Sequence, residues 1–250
     1  KMQKLAITLV TLMLSSAASA QTTPAEPPAK ILGWSKSANL GVNLSFTSSE
    51  SVVGQSDGSS QTYGLNLKGG LNHVTEQDEW RNTLTVNAAT TRTPNIPRYI
   101  KSSDDLKLDS IYLYSLPSHP AVGPYLRGEA SAPMFKGETV QATPQTFRVS
   151  RQGQADHVFS ASSLRLTDGF KPLTTKEGVG FFWKALQKEN LKIEARAGFA
   201  ALQIDADGQL VLAGPNAAGE LQVNELRDVS QAGLELALVA KGKVDEKTSY

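Results

Sequence analysis

The chain contains no cysteine, which excludes a disulfide framework and any thiolate metal site. Only three histidines are present, His73, His119 and His157, and no H-x-x-x-H spacing links them. Neither sign of charge is in excess: 25 Lys and Arg stand against 24 Asp and Glu, for a formal net charge of +1. The two signs are interspersed, so there is no basic stripe and nucleic acid is not an expected partner. Helical periodicity is almost absent, as are a fixed-length repeat, a heptad run, a G-x-S-x-G elbow and a glycine-rich phosphate loop before a helix. The longest apolar run, Leu5 to Leu14, is far shorter than the roughly 18 residues that a membrane-crossing helix needs.

What the N-terminus does have is an address. In "KMQKLAITLVTLMLSSAASA", Lys1 and Lys4 form a basic region, Leu5 to Leu14 an apolar one, and Ala18-Ser19-Ala20 a small-residue cleavage site. Residues 1–20 therefore read as a secretory signal peptide, cleaved after Ala20. The Pro-rich "QTTPAEPPAK" that follows reads as a disordered leader over 21–33. About 220 residues then remain, enough for one large all-β domain.

That remainder is organised by alternation. "LKIEARAGFA" places Leu191, Ile193, Ala195, Ala197 and Phe199 on one side and Lys192, Glu194, Arg196 and Gly198 on the other, the period of a strand with one apolar and one polar face. Similar segments are predicted at about 36–48, 60–73, 79–92, 104–116, 123–133, 175–186 and 229–242, with a ninth strand starting near Thr248. Long connections ("SSESVVGQSDG", "TPNIPRYIKSS", 134–174, 205–228) alternate with short ones ("VTEQD", "PSHPAVG", "QKEN", "VDEK"). An up-and-down membrane barrel sorts its hairpins in this way, with short turns on the periplasmic rim.

The expected fold is thus an all-β, antiparallel, up-and-down transmembrane β-barrel over 34–250. Its apolar parity would meet lipid, through sets such as Leu40, Val42, Leu44 and Leu234, Leu236, Leu238. The opposite parity would line the lumen with Lys68, Arg81, Arg127, Glu129, Lys184, Lys192, Glu194, Arg196 and Glu235. Arg127 with Glu129, and Lys192 and Arg196 with Glu194, are expected to pair and partly plug the interior. Aromatics form the expected interface girdles: Trp34, Trp80, Tyr114 and Trp183 at the periplasmic strand ends, and Phe46, Tyr63 and Phe199 toward the other rim. One segment departs from the pattern, because Ser110 would face lipid while Ile111 and Leu113 face inward; a bulge or a register change is one way to accommodate it.

Several of these segments resemble a known family. Trp34 with "LGVNLSF", "EWRNTL" at 79–84, "KSSDDLKLDSIY" at 101–112, "GFKPLTTKEGVG" at 169–180, "ARAGFA" and "AGLELAL" look like an exported bacterial outer-membrane barrel family catalogued only as a domain of unknown function. The first loop of that family carries an Asn-Trp and a Gly-Gly pair, where this chain has "SESVVGQSDGSS". The resemblance implies an architecture and no established activity.

The chain begins at Lys1 and stops at Tyr250 where a strand starts. Nine strands then imply a missing C-terminal part and ten or twelve strands in the complete barrel, since closed single-chain barrels use even numbers. Asp156, His157 and Ser160 lie close in one long connection, but sequence proximity does not make a triad, and solvated loop residues are the expected reading. "DADGQ" at 205–209 resembles half a calcium loop but lacks its distal Glu, and is expected to be a polar turn. No catalytic residue, metal or cofactor is therefore expected.

The expected protein is a non-enzymatic, porin-like outer-membrane barrel, either a selective pore or a filled structural barrel. Its partners would be outer-membrane lipid and the barrel assembly machinery, and the extended connections would carry any recognition. A lipid-modifying enzyme and a soluble exported β-sandwich binding protein are the alternatives.

Overall fold

The computed structural model describes residues 32–51, 53, 57–188 and 190–242. The signal peptide, the leader up to residue 31 and the strand expected near Thr248 lie outside the described residues. The described chain is all-β, with twelve strands and no helix.

Eight strands form one antiparallel sheet in the order β1-β2-β3-β4-β5-β8-β9-β12. They are β1 (Gly33–Ser49), β2 (Gly58–Val74), β3 (Asp78–Thr93), β4 (Ile96–Tyr114), β5 (Val122–Ala132), β8 (Leu173–Gln187), β9 (Leu191–Asp205) and β12 (Val229–Gly242). Each corresponds to one alternating segment of the sequence. The other four strands, β6 (Gly137–Ser150), β7 (His157–Thr167), β10 (Leu210–Pro215) and β11 (Leu221–Glu225), make a second sheet in the order β10-β11-β6-β7.

Local chemistry sets the lower rim, where the β2–β3, β4–β5 and β8–β9 turns lie. In the first of these, the Thr75 amide donates to the Asp78 carbonyl at 2.9 Å and the Asp78 amide donates to Thr75 Oγ1 at 2.8 Å, closing a three-residue turn. The upper rim differs from expectation. "TPNIPRYIKSS" is not an open loop: β3 and β4 run on as a ladder, and only Pro94 and Asn95 connect them. Residues 134–174 and 205–228 are not loops either, because they supply the whole second sheet. Three of the four long connections expected are thus ordered β-structure, the connection between β1 and β2 lies partly outside the described residues, and the β2–β3, β4–β5 and β8–β9 turns are short as expected.

Curvature of the large sheet follows from its ion pairs. β3 and β9 are four strand steps apart, about 19 Å in a flat sheet at ~4.8 Å per step. Yet Arg81 Nη2 of β3 lies 3.0 Å from Glu194 Oε2 of β9. Likewise Arg127 of β5 reaches Glu235 of β12 at 3.1 Å, three steps away. The sheet is therefore curled, with this parity on its concave face. Among the described residues, β1 and β12 each keep an unpaired outer edge; the closed barrel expected from the sequence is an open, curled sheet.

Register carries one convex row across all eight strands: Trp34, His73, Trp80, Tyr112, Leu126, Val179, Phe199 and Leu234. The row starts beside the lower end of β1 and finishes near the middle of β12, which is the stagger of a tilted, coiled sheet. Gly180 and Gly198 face each other on the concave side of β8 and β9. A Cβ on Gly198 would stand 2.7 Å from the Gly180 Cα and 2.9 Å from Tyr125 Oη, and closer still to the Val179 carbonyl oxygen. Missing side chains at this pair let the two strands fold sharply inward.

Candidate functional site

The large sheet presents two faces of opposite character, and together they form the candidate site. On the convex face the apolar parity is open to the surroundings: Leu40 is 70% exposed, Leu234 80% and Leu236 81%. The apolar stretch spans Ala38 to Phe46 on β1 and Tyr63 to Leu71 on β2, nine residues each. Roughly 9–11 tilted residues cross a bilayer's hydrocarbon layer. In water, each large side chain so exposed would forgo about 1.5–3 kcal/mol of burial.

The aromatics flank this band. Trp34 contacts His73 at 4.6 Å and Trp80 at 6.3 Å between ring centroids, at the lower rim. Trp183 sits near the lower end of β8 and Tyr114 ends β4, half-buried. Phe46 meets Tyr63 edge-on at 5.8 Å toward the upper rim, and Tyr99 extends that cluster at 5.6 Å. Phe199 is the exception to the expected girdle, being mid-strand on β9. Tyr112 was not anticipated from the sequence; it is more exposed than Tyr114 and donates its hydroxyl to Asp78 Oδ1.

The concave face is polar and internally paired. Glu194, buried, receives Arg81 at 3.0 Å and Arg196 at 2.6 Å, while Glu79 receives Arg81 and Lys184. A second cluster centres on Arg127, which contacts Asp109, Glu129 and Glu235; Lys107 joins Glu129 at 2.7 Å and Lys176 joins Glu235 at 2.6 Å. The expected pairs of Arg127 with Glu129 and Arg196 with Glu194 are both present. Lys68 and Lys192 occupy the same parity and remain exposed. Sequence reasoning missed Glu79, Lys107, Asp109 and Lys176, although their parity relative to Arg81 and Arg127 was the available signal.

The segment around Ser110 has a different explanation from a bulge. Its register with β3 is continuous from Asp78 opposite Tyr114 to Ala89 opposite Ser103. Ser110 does face outward, accepting from the Trp80 indole at 2.9 Å and donating to Asn82 Oδ1 at 2.8 Å. Ile111 and Leu113 point inward and pack with Tyr125 and Phe182 into a buried apolar cluster on the concave face.

The second sheet has the ordinary polarity. Phe147, Val149, Leu210 and Val223 form its core, supported by Phe159 and Leu164. Outside, Arg148 pairs with Glu220 at 2.7 Å and Asp156 at 3.3 Å. The Arg148 hydrogen bond holds the Glu220 carboxyl below its ordinary range. The Ser150 hydroxyl, then Arg148, does the same for Asp156. Asp156 is thus engaged away from His157, whose ring stacks on Phe159 at 5.1 Å. Ser160 lies three residues along β7 from His157, on the other face, so the two do not converge. In the 205–209 turn, Asp205 and Asp207 both face the Lys171 ammonium, at 2.6 and 3.6 Å, where a calcium loop would place a cation.

No family model, curated protein or solved structure matches the chain. The functional reading therefore rests on the two faces of the curled sheet and on the small sheet above it.

Proposed function

We propose that the chain is the wall of an outer-membrane β-barrel with a non-enzymatic role, its convex face in lipid and its small sheet in the water above. The observation that carries this reading is the reversed polarity of the large sheet. Its large apolar side chains are outermost while its ion pairs are sheltered, and the small sheet of the same chain does the opposite. On this reading the β1 and β12 edges are closed in the membrane. Trp34, Trp80 and Trp183 then stand at the periplasmic headgroup level, and export by residues 1–20 delivers the chain to its assembly machinery.

The interior argues for a filled barrel in preference to an open pore. Side chains from β3 and β9, and from β5 and β12, meet across the concave space, and Ile111, Leu113, Tyr125 and Phe182 occupy one end of it. A small barrel packed with side chains conducts poorly. The role left to such a protein is structural or one of surface contact, through the small sheet.

The test is gel mobility of the mature chain with and without boiling, combined with planar-bilayer conductance. A boiling-dependent shift and no steady conductance steps are expected. A chain that stays in buffer without detergent and shows no shift overturns the membrane wall, and stable conductance steps overturn the filled interior.

A further inference from the structure

Where the band of exposed apolar residues meets the upper rim, the convex face is not flat. The chain leaving β5 folds back over it at residues 133–136, anchored by Asp104, whose carboxylate accepts from the Met134 amide at 2.8 Å and the Phe135 amide at 2.9 Å. The overhang and the sheet enclose a groove of about 560 Å³, within the 300–1,000 Å³ range of small-molecule sites. Its floor is part of the apolar band, including Val42, Leu65 and Ala88, and its wall includes Tyr99 and Phe135.

The charged lip of this groove is unbalanced. Arg98 and Lys136 share a single carboxylate, Glu138, at 2.8 and 3.4 Å. Lys101 is held by Asp104 at 2.7 Å and by the Phe135 carbonyl at 2.8 Å. Three cations therefore face two carboxylates, and the Arg98 and Lys136 side chains stay largely in the open. A guanidinium and an ammonium at the mouth of an apolar slot match a phosphate ester attached to hydrocarbon.

The geometry points to this groove as a binding site for one anionic membrane lipid, its acyl chain against Val42, Leu65 and Ala88 and its phosphate between Arg98 and Lys136. The inference rests on the proposed membrane wall, because the floor is continuous with the face assigned to lipid. A lipid would enter sideways from the bilayer without leaving its own phase. Tyr63 and Tyr99, whose rings touch beside the lip, stand at the level where amphipathic rings meet headgroups.

The test is native mass spectrometry of the detergent-solubilised mature chain with dioleoyl phosphatidic acid, dioleoyl phosphatidylcholine or inorganic phosphate. The expected result is one phosphatidic acid retained per chain, at least five-fold over phosphatidylcholine. Retention falls at least five-fold in the double variant Arg98→Gln with Lys136→Gln, and in Ala88→Phe, which fills the floor. Equal retention of the two lipids, or inorganic phosphate bound as tightly as the lipid, overturns the site. Boiling-dependent mobility, read on the same samples, reports the wall separately. Should the chain prove soluble, selective retention of water-soluble dihexanoyl phosphatidic acid, lost in the double variant, still supports the groove, and its absence removes it.

Discussion

The two sheets of this protein solve opposite problems with one amino-acid alphabet. In the small sheet, Phe147 and Val223 are fully buried and Arg148, Asp156 and Glu220 face outward. In the large sheet, Leu234 and Leu236 face outward while Glu194 is buried against Arg81 and Arg196. Strand period alone does not separate these cases, since both alternate. What separates them is which parity the neighbouring strands turn inward. On the proposed reading that choice follows the medium each sheet faces, and the small sheet serves as the water-facing comparison for the large one.

The sharpest way to break the comparison is to empty the ordinary core. Phe147 is fully buried and packs on Phe159 at 5.9 Å, so Phe147→Ala is expected to cost about 3–5 kcal/mol. The loss should be confined to the small sheet. Hydrogen exchange should quicken over β6, β7, β10 and β11, while the ladders of β1 to β5 keep their protection and the boiling-dependent mobility is unchanged. Loss of protection in both sheets at once would show that they form one cooperative core, and the contrast between them would lose its meaning.

The next test touches the convex face. Leu236, mid-strand on β12 between Leu234 and Leu238, is expected to cost about 2–4 kcal/mol when replaced by Arg in a bilayer. The same change on a water-facing strand falls within about 0.5 kcal/mol. Urea titration of the chain folded into phosphatidylcholine vesicles, followed by tryptophan fluorescence, distinguishes the two. A Leu236→Arg chain as stable as the parent would mean that this face meets water.

Curvature offers a third handle, because the ion pairs that cross the concave space exist only if the sheet coils. Gly198→Ala puts a methyl against Gly180 and Tyr125, with an expected cost of about 1–3 kcal/mol from overpacking. The same strain should loosen the Arg81–Glu194 contact, since β8 and β9 lie on the path between them. Glu194→Gln should then cost less in the Gly198→Ala background than in the parent, and equal costs would detach the ion pair from the bend.

All eight strands of the large sheet were legible because each carries apolar residues recurring at period two, bounded by turn residues, with single interruptions such as Ser110 in β4 and Gly128 in β5. Parity was legible for the same reason, and it placed Arg127 beside Glu129 and Arg196 beside Glu194 two residues apart on single strands. Pairs such as Arg81 with Glu194 were not, since they depend on coiling, which sums over many residues and has no local sign beyond a glycine pair. The small sheet was hidden for two reasons. β10 and β11 have only six and five residues, and although a tight turn at 216–220 joins them as an antiparallel hairpin, β11 also pairs in parallel with β6 more than seventy residues away, a contact with no local sign. "TFRVS" at 146–150 does alternate, with Phe147 and Val149 against Arg148 and Ser150, and is a usable trace. Ile111 and Leu113 looked like an error of register only because the interior was expected to be uniformly polar.

The smallest expected effect concerns the charged outside of the small sheet. Glu220 and Asp156 have carboxyl groups held below their ordinary range, Glu220 chiefly by Arg148 and Asp156 chiefly by Ser150 with Arg148 second. A depressed folded-state value means that the contribution is present above the unfolded values of about 4 and disappears as pH falls through the lower, folded ones. Cleavage within 137–167 by an acid-active protease should therefore rise between about pH 4.5 and pH 2 relative to β1 and β2 of the large sheet. Both carboxylates lie at the surface, Asp156 exposed and Glu220 half-buried beside Arg148, and solvent screens them, so the rise should be modest and smaller still at high salt. In Arg148→Met the pH dependence should flatten, most clearly in the part due to Glu220, while Ser150 continues to hold Asp156. A slope unchanged by that substitution would assign the acid sensitivity to other groups and leave the outer face of the small sheet without a role for its central cation.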